Sequence, residues 1–522
     1  MKFSQIISDQ QLATEAIRRW ITMAVCMVVA VVAANWIVDQ RFFLFAVLAG
    51  LVATTFVTVG MQRKAWILIV ICWGFRGSIH ALPLPVTTRD LVVMVVACSY
   101  VAQRALGRTV QPMRGVLNTL VNINCAYIAF TFFLHPVGVR VLGSGTMGGH
   151  PYFNVFIVWC AFWIIVHMPE SYKDVTRIPL WLTLSATFTA VIAASVYIFP
   201  SLTPYVWFFY SDIDVGGYLG SLNITGQEAE VHRFTSFGPF GVMLVQCLSA
   251  YFPPRALANL LRWQSYLCLL GFAAILASGF RNHLLLALAY LALAAWFRGG
   301  WHDVVIGGLI GTLFLGFLVF GQGRLFDLPL TAQRALGSLP GQWDEAVKRD
   351  VKTSNARWDW WLQMIKEGSF VDNWWVGDGF GVSEQDWMAM VGQRLSFDEA
   401  TTVTGGFHNG PLTAIRHAGV VGLVLLYALT ITAAVYSVKC VRRCRDTPLL
   451  PVSIFLAVQL VWAPIHYTFI FGSYDMEITE QIFVIGLLAL VWRMSEHTPP
   501  SPAPVLTTKS LSRNNGRPLL ST

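Results

Sequence analysis

Residues 405–438 read GGFHNGPLTAIRHAGVVGLVLLYALTITAAVYSV. Two glycines and an Asn-Gly-Pro end a long polar segment, and an uncharged run follows from Ala418 to Val438. A run of about 20 apolar residues is what a helix needs to cross the hydrocarbon core of a bilayer. Pro411 suits the first turn of such a helix, where its missing N–H costs nothing. His408 therefore sits beside a helix N-terminus, where unpaired backbone N–H groups attract anions. This stretch reads as a polar loop re-entering a membrane-spanning helix.

The rest of the chain repeats that pattern. Of 522 residues, 55% are apolar and 12% charged, with a mean hydropathy of +0.58. A soluble chain carries about twice that charge. Apolar stretches near span length fall roughly at 19–38, 41–60, 64–82, 90–105, 115–135, 152–168, 179–199, 236–252, 262–279, 283–298, 303–321, 412–437, 449–471 and 478–494. The expected fold is an all-α polytopic membrane protein with about 14 (12–14) transmembrane helices. No small-residue cleavage site follows the first apolar run, so no cleaved signal is expected.

Lys and Arg fall on alternate connections: Arg18/Arg19, Arg63/Lys64, Arg104/Arg108/Arg114, Lys173/Arg177, Arg255/Arg262, Arg298 and Lys439/Arg442/Arg443/Arg445. Positive loops stay in the cytoplasm, so both termini are expected there and the connections 136–151, 200–235 and 322–411 face outward. The expected organisation is spans one to eleven in 1–321, a large outer loop domain at 322–411 and spans twelve to fourteen in 412–494. A disordered tail, rich in Pro, Ser and Thr, follows at 495–522. The net charge of +8 mostly records cytoplasmic loops and gives no reason to expect nucleic acid.

The nine cysteines lie in spans or on the cytoplasmic side, so no disulfide framework is implied. Cys440 and Cys444 lack the second ligand pair of a zinc site and read as incidental thiols. Asp212 and Asp214 resemble a metal-binding pair only by chance spacing. No metal-ligand cluster, phosphate loop or GxSxG turn is present, and no metal or cofactor is expected.

The 322–411 loop holds eight Lys/Arg, twelve Asp/Glu and seven of the twenty Trp. Trp358, Trp361, Leu362 and Ile365 recur at helical spacing, which predicts an amphipathic helix at headgroup depth. Gly377-Asp378-Gly379-Phe380-Gly381 then predicts a flexible turn, and Ser383 with Asp386 a capping box.

Four residues carry candidate chemistry, and a fifth, Asn409, supports them. Arg281 lies in a tight outer turn without a neighbouring acid, where an arginine suits bidentate phosphate binding. Arg357 and Arg233 offer further cations; ordinary ion pairing competes with that reading for Arg357, whose neighbours are acidic. His408, kept neutral by the helix dipole, suits a general base. Asn409 could either orient its ring or cap the helix.

Together these pieces resemble the O-antigen ligase and polymerase superfamily of bacterial membrane glycosyltransferases, from about residue 230 to 430. Arg233-Phe234-Thr235-Ser236-Phe237-Gly238-Pro239 resembles its Arg-led start of a span. Ser278-Gly279-Phe280-Arg281, followed by His283-Leu284-Leu285, resembles its Ser-Arg turn. Arg357 through Trp361, then Gly377-x-Gly379-x-Gly381, resembles its outer-loop Arg segment and Gly-rich turn. His408-Asn409 with Leu412 and Gly419-x-x-Gly422 resembles its final signature. Phe280 interrupts the Ser-Arg pair, Gly410-Pro411 stands where a bulky residue is common, and Arg416-His417 replaces an acid before the GxxG.

The resemblance implies a GT-C-like fold in the bacterial inner membrane with a periplasmic active site. The donor would be a glycan on undecaprenyl diphosphate, and the acceptor a hydroxyl of a glycan, lipid or protein. His408 would be the catalytic base. Arg281, Arg357 and Arg233 would hold the diphosphate without metal, supported by Asn409 and Trp361. A repeat-unit polymerase and a protein O-oligosaccharyltransferase share this donor chemistry. A transporter of lipid-linked solutes would instead show charges inside spans; here the charges read as clustering at span ends. A non-catalytic assembly factor would tolerate loss of His408.

Overall fold

The computed structural model describes residues 52–61, 64–79, 86–105, 115–135, 149–168, 171–210, 234–349, 371–380 and 407–497, with isolated positions such as 361, 362, 365, 366 and 405. Apolar runs of span length become helices because a helix alone satisfies its own backbone in lipid. In order they are α1 (Trp66–Ile71), α2 (Thr88–Ala105), α3 (Val116–Leu134), α4 (His150–His167), α5 (Ile178–Ile198), α6 (Phe237–Tyr251), α7 (Trp263–Ser278), α8 (Arg281–Gly299), α9 (Trp301–Gly321), α10 (Leu330–Leu336), α11 (Gly410–Arg443), α12 (Leu450–Phe469) and α13 (Tyr474–His497). Seven of them, α3, α4, α5, α9, α11, α12 and α13, are long and apolar enough to cross a membrane; α6 and α7 are shorter apolar helices. The chain is an all-helical, polytopic membrane protein, with no β-strand among the described residues.

The third expected span, 64–82, departs from that pattern. Its helix stops at Ile71, the chain turns through Cys72–Gly74, and Ser78 bridges Thr87. Six residues rise about 9 Å, far short of a bilayer core. Side chains of other helices hold this irregular stretch. The Gly74 N–H donates to Ser185 Oγ at 3.0 Å, and Trp73 and Arg76 both bind the Glu480 carboxylate.

One end of the bundle is closed by basic residues that cap helix C-termini, where a positive charge meets unpaired carbonyls. Arg298 donates to the Ser249 and Ala250 carbonyls at the end of α6. Arg493 donates to Val166 and Met168 at the end of α4, at 2.6 and 3.0 Å. Arg443 pairs with Glu496 at 3.4 Å where α11 and α13 end. The starts of α6, α8, α11 and α13, with the end of α12, form the opposite end.

Candidate functional site

Helix α11 is the element on which the site is built, and it is not continuous. Gly419 has φ 67° and ψ −176°, which breaks the helix into a short first segment and a long second one. In an intact helix the N–H groups of Val420 and Val421 would reach the carbonyls of Arg416 and His417. Instead Val420 donates to Trp374 at 2.8 Å and Val421 to Trp375 at 3.3 Å. The freed Arg416 and His417 carbonyls accept from the N–H groups of Asp378 and Gly379, at 2.8 and 3.1 Å. The Ala418 carbonyl takes the Tyr127 hydroxyl at 2.7 Å. The broken turn is thus repaired by the Gly-rich segment 374–379, as buried backbone requires.

Side chains lock the same contact. Arg416 forms an ion pair with Asp378, and His417 Nδ1 lies 2.9 Å from the Gly379 carbonyl. The His417 ring stacks on Phe380, whose N–H donates to the Tyr152 hydroxyl at 3.0 Å. Arg416 and His417, the departures before the GxxG, therefore clamp the Gly377–Gly379 turn onto the helix break.

The short first segment of α11 carries the His408 motif at its N-terminus. The Asn409 side chain accepts the Leu412 N–H at 3.1 Å, so Asn409 caps the helix. His408 precedes the cap with φ 53°, the left-handed region that a non-glycine residue seldom occupies. That turn lays its ring over Phe471, with centroids 5.1 Å apart and planes 23° from parallel. Phe407 is buried, and its carbonyl accepts the Trp361 indole N–H at 3.1 Å. Trp361 thereby reaches the His408 turn, while Leu362 and Ile365 stay exposed.

Arg281 opens α8 two residues after Gly279, whose left-handed conformation (φ 70°) ends α7. Its Nε donates to the Arg334 carbonyl of α10 at 3.1 Å, which holds the half-buried side chain against that short helix. Phe280, the residue interrupting the Ser-Arg pair, packs edge-on against His283 at 5.3 Å. Arg233, Arg357, Ser383, Asp386 and the Asp212/Asp214 pair lie outside the described residues.

Beneath this end lies a cavity of about 520 Å³ among the 73–76 stretch, α5, α6, α8, α12 and α13. Phe471, under the His408 ring, and His283, two residues after Arg281, both line it. It joins the two parts of the motif that the sequence sets about 130 residues apart. Sequence reasoning missed its polar lining: Arg76, His283, His466, Glu477, Glu480 and Gln481. A signal existed, because Glu477, Glu480 and Gln481 share one helical face at the start of an otherwise apolar span. Charges therefore occur inside the bundle as well as at span ends.

No protein-family model matches this chain, and no curated protein matches it.

Proposed function

We propose that this chain is a glycosyltransferase of the O-antigen ligase and polymerase type, moving a glycan from undecaprenyl diphosphate to an acceptor hydroxyl. In this reading the short third segment does not cross the membrane, and the Lys/Arg-rich connections lie in the cytoplasm. The 322–411 loop and His408 then lie on the periplasmic face of a bacterial inner membrane. The observation that carries the proposal is the seating of His408. A strained backbone places its ring on Phe471, at the N-terminus of a helix segment broken off at Gly419 and above a cavity lined partly by polar side chains. Strained residues and half-helix ends are recurrent features of membrane binding sites.

His408 would take the proton of the acceptor hydroxyl as its oxygen bonds to the anomeric carbon. The bond from that carbon to the diphosphate breaks, and its electron pair leaves with the phosphate oxygen. Direct displacement inverts the anomeric centre. Arg281, with Arg357 and Arg233, would stabilise the growing phosphate charge. The imidazolium then returns its proton to solvent.

The test follows lipid-linked glycan in cells deleted for the gene and complemented with wild type or His408→Ala. Loss of a general base should cut transfer by about 10²–10⁴-fold. Full-length polymer building up on the lipid marks a ligase, and single repeat units mark a polymerase. Full complementation by His408→Ala would refute the transferase reading.

One observation favours a second reading, transport of a polar or lipid-linked solute: Arg76, Glu477 and Glu480 line a cavity inside the bundle. If the chain were a transporter, its deletion would leave lipid-linked glycan on the cytoplasmic face, inaccessible to externally added glycosidase.

A further inference from the structure

The end of α12 and the start of α11 are tied together around His408. The Phe471 N–H reaches back to the His466 carbonyl at 3.0 Å, which fixes the residue lying under the His408 ring. The Tyr467 hydroxyl donates to the Gly410 carbonyl at 2.5 Å, and Thr413 Oγ1 donates to the same oxygen at 2.7 Å. Gly472 lies against this turn as well: a Cβ there would come within 2.8 Å of the Gly410 Cα. Tyr427 and Thr468 join α12 to the second segment of α11 through a 2.7 Å hydroxyl pair. The stretch 466–472 thus holds the His408–Gly410 turn and Phe471 in one frame.

The His408 ring leaves its own helix. A residue just before a helix cap often packs on the fourth residue of that helix. Here that residue is Thr413, which is fully buried and turns its hydroxyl to Gly410. His408 instead takes a left-handed backbone and lies nearly flat on Phe471, with planes 23° and centroids 5.1 Å apart. An edge-on contact, such as that between Phe280 and His283, fills space equally well. A flat one adds electrostatics, because the negative face of an aromatic ring attracts a cation within about 6 Å of its centroid. A neutral imidazole gains little from that face, and an imidazolium gains more. For a base the contact therefore strengthens as the proton arrives, which is the condition for lowering a barrier. A carboxylate in the same place would favour the imidazolium before the reaction began. A benzene ring takes no proton of its own.

We propose that Phe471 is a positioning residue for His408: it holds the imidazole flat and stabilises the imidazolium that forms as the acceptor hydroxyl gives up its proton. This rests on the transferase reading of His408. The proton passes from the acceptor oxygen to the imidazole, and Phe471 exchanges no atom with either. Tyr467 and Gly472 keep the capped turn against that ring.

The experiment replaces Phe471 with phenylalanines bearing one, two, three and five fluorines, introduced by amber suppression. Fluorine drains the negative ring face at nearly constant shape, so packing is kept while the attraction for a cation fades. The probe is lipid-linked glycan in membrane vesicles from the gene-deletion strain, fused with vesicles that hold the purified full-length protein. Loss of mild-acid-labile glycan gives the rate, and dilution with glycan-free vesicles separates kcat from KM. The expected result is a stepwise fall in kcat with each fluorine at unchanged KM. It should reach about 2- to 30-fold in the pentafluoro protein and in Phe471→Leu. A flat kcat across the series, or wild-type kcat in Phe471→Leu, overturns the proposal and leaves Phe471 as packing. A change in KM alone overturns it too, since Phe471 would then be acting on substrate binding. Both outcomes spare the transferase reading while His408→Ala stays inactive. His408→Ala consuming the glycan at the wild-type rate sinks that reading instead.

Discussion

Gly419 lies against the backbone of Trp375: a Cβ on Gly419 would come within 2.2 Å of the Trp375 carbonyl carbon and oxygen. The facing Gly377 is equally tight, since its own Cβ would come 2.5 Å from the Gly419 and Ala418 nitrogens. Two glycines 42 residues apart in the chain thus let a loop backbone replace one turn of a spanning helix. The half-helix bearing His408 exists only while that contact holds.

Gly419→Ala should therefore misplace His408 rather than prevent membrane insertion. The left-handed backbone alone costs a non-glycine residue roughly 1–3 kcal/mol, and the clash with Trp375 adds to it. A lower thermal midpoint in scanning fluorimetry, with transfer lost at normal membrane abundance, is the expected outcome. Wild-type transfer by this variant would show that the break is dispensable.

The Asp378–Arg416 pair offers a more graded test of the same contact. Asp378 also accepts the N–H groups of Asp372 and Asn373, at 3.1 and 2.9 Å. Asp378→Asn should cost roughly 1.5–3 kcal/mol, the scale of a hydrogen bond to a charged group. Combined with Arg416→Gln it should cost less than the sum of the single changes, since both remove one interaction. Additive losses of thermal stability would mean that the pair is not coupled.

Arg281→Lys tests the fork. Lysine keeps the charge, yet a point ammonium cannot contact the Arg334 carbonyl and also grip two phosphate oxygens. At least about a tenfold fall in kcat/KM is expected, equivalent to about 1.4 kcal/mol in the transition state. Unchanged turnover would assign Arg281 to anchoring the bundle at the headgroup layer.

Chelation tests the source of the cation. With arginines facing the diphosphate, transfer by the purified enzyme should persist in EDTA. Activity lost with EDTA and restored by a divalent ion would replace the arginine clamp with a metal-assisted one.

The sequence by itself determined that the chain is built of apolar helices able to cross a membrane, because apolar length is a local quantity and the bilayer fixes the length that a helix must reach. The Asn409 cap and Pro411 start were legible for the same reason, because capping acts over three or four residues. The third span was misread because its apolar residues fit a spanning helix, while its path is set by Ser185 and by Glu480, 404 residues beyond Arg76. Gly419 likewise gave no local sign of a break, since a single glycine inside a long helix costs only about 1 kcal/mol. Its unusual conformation depends on the carbonyls of Trp374 and Trp375, which only the folded chain brings to it. The cavity is the furthest from local information: Arg76, His283, His466 and Glu477 come from four separate parts of the chain. Tertiary packing alone decided that these polar groups meet, because they stand on elements that only the folded bundle brings side by side.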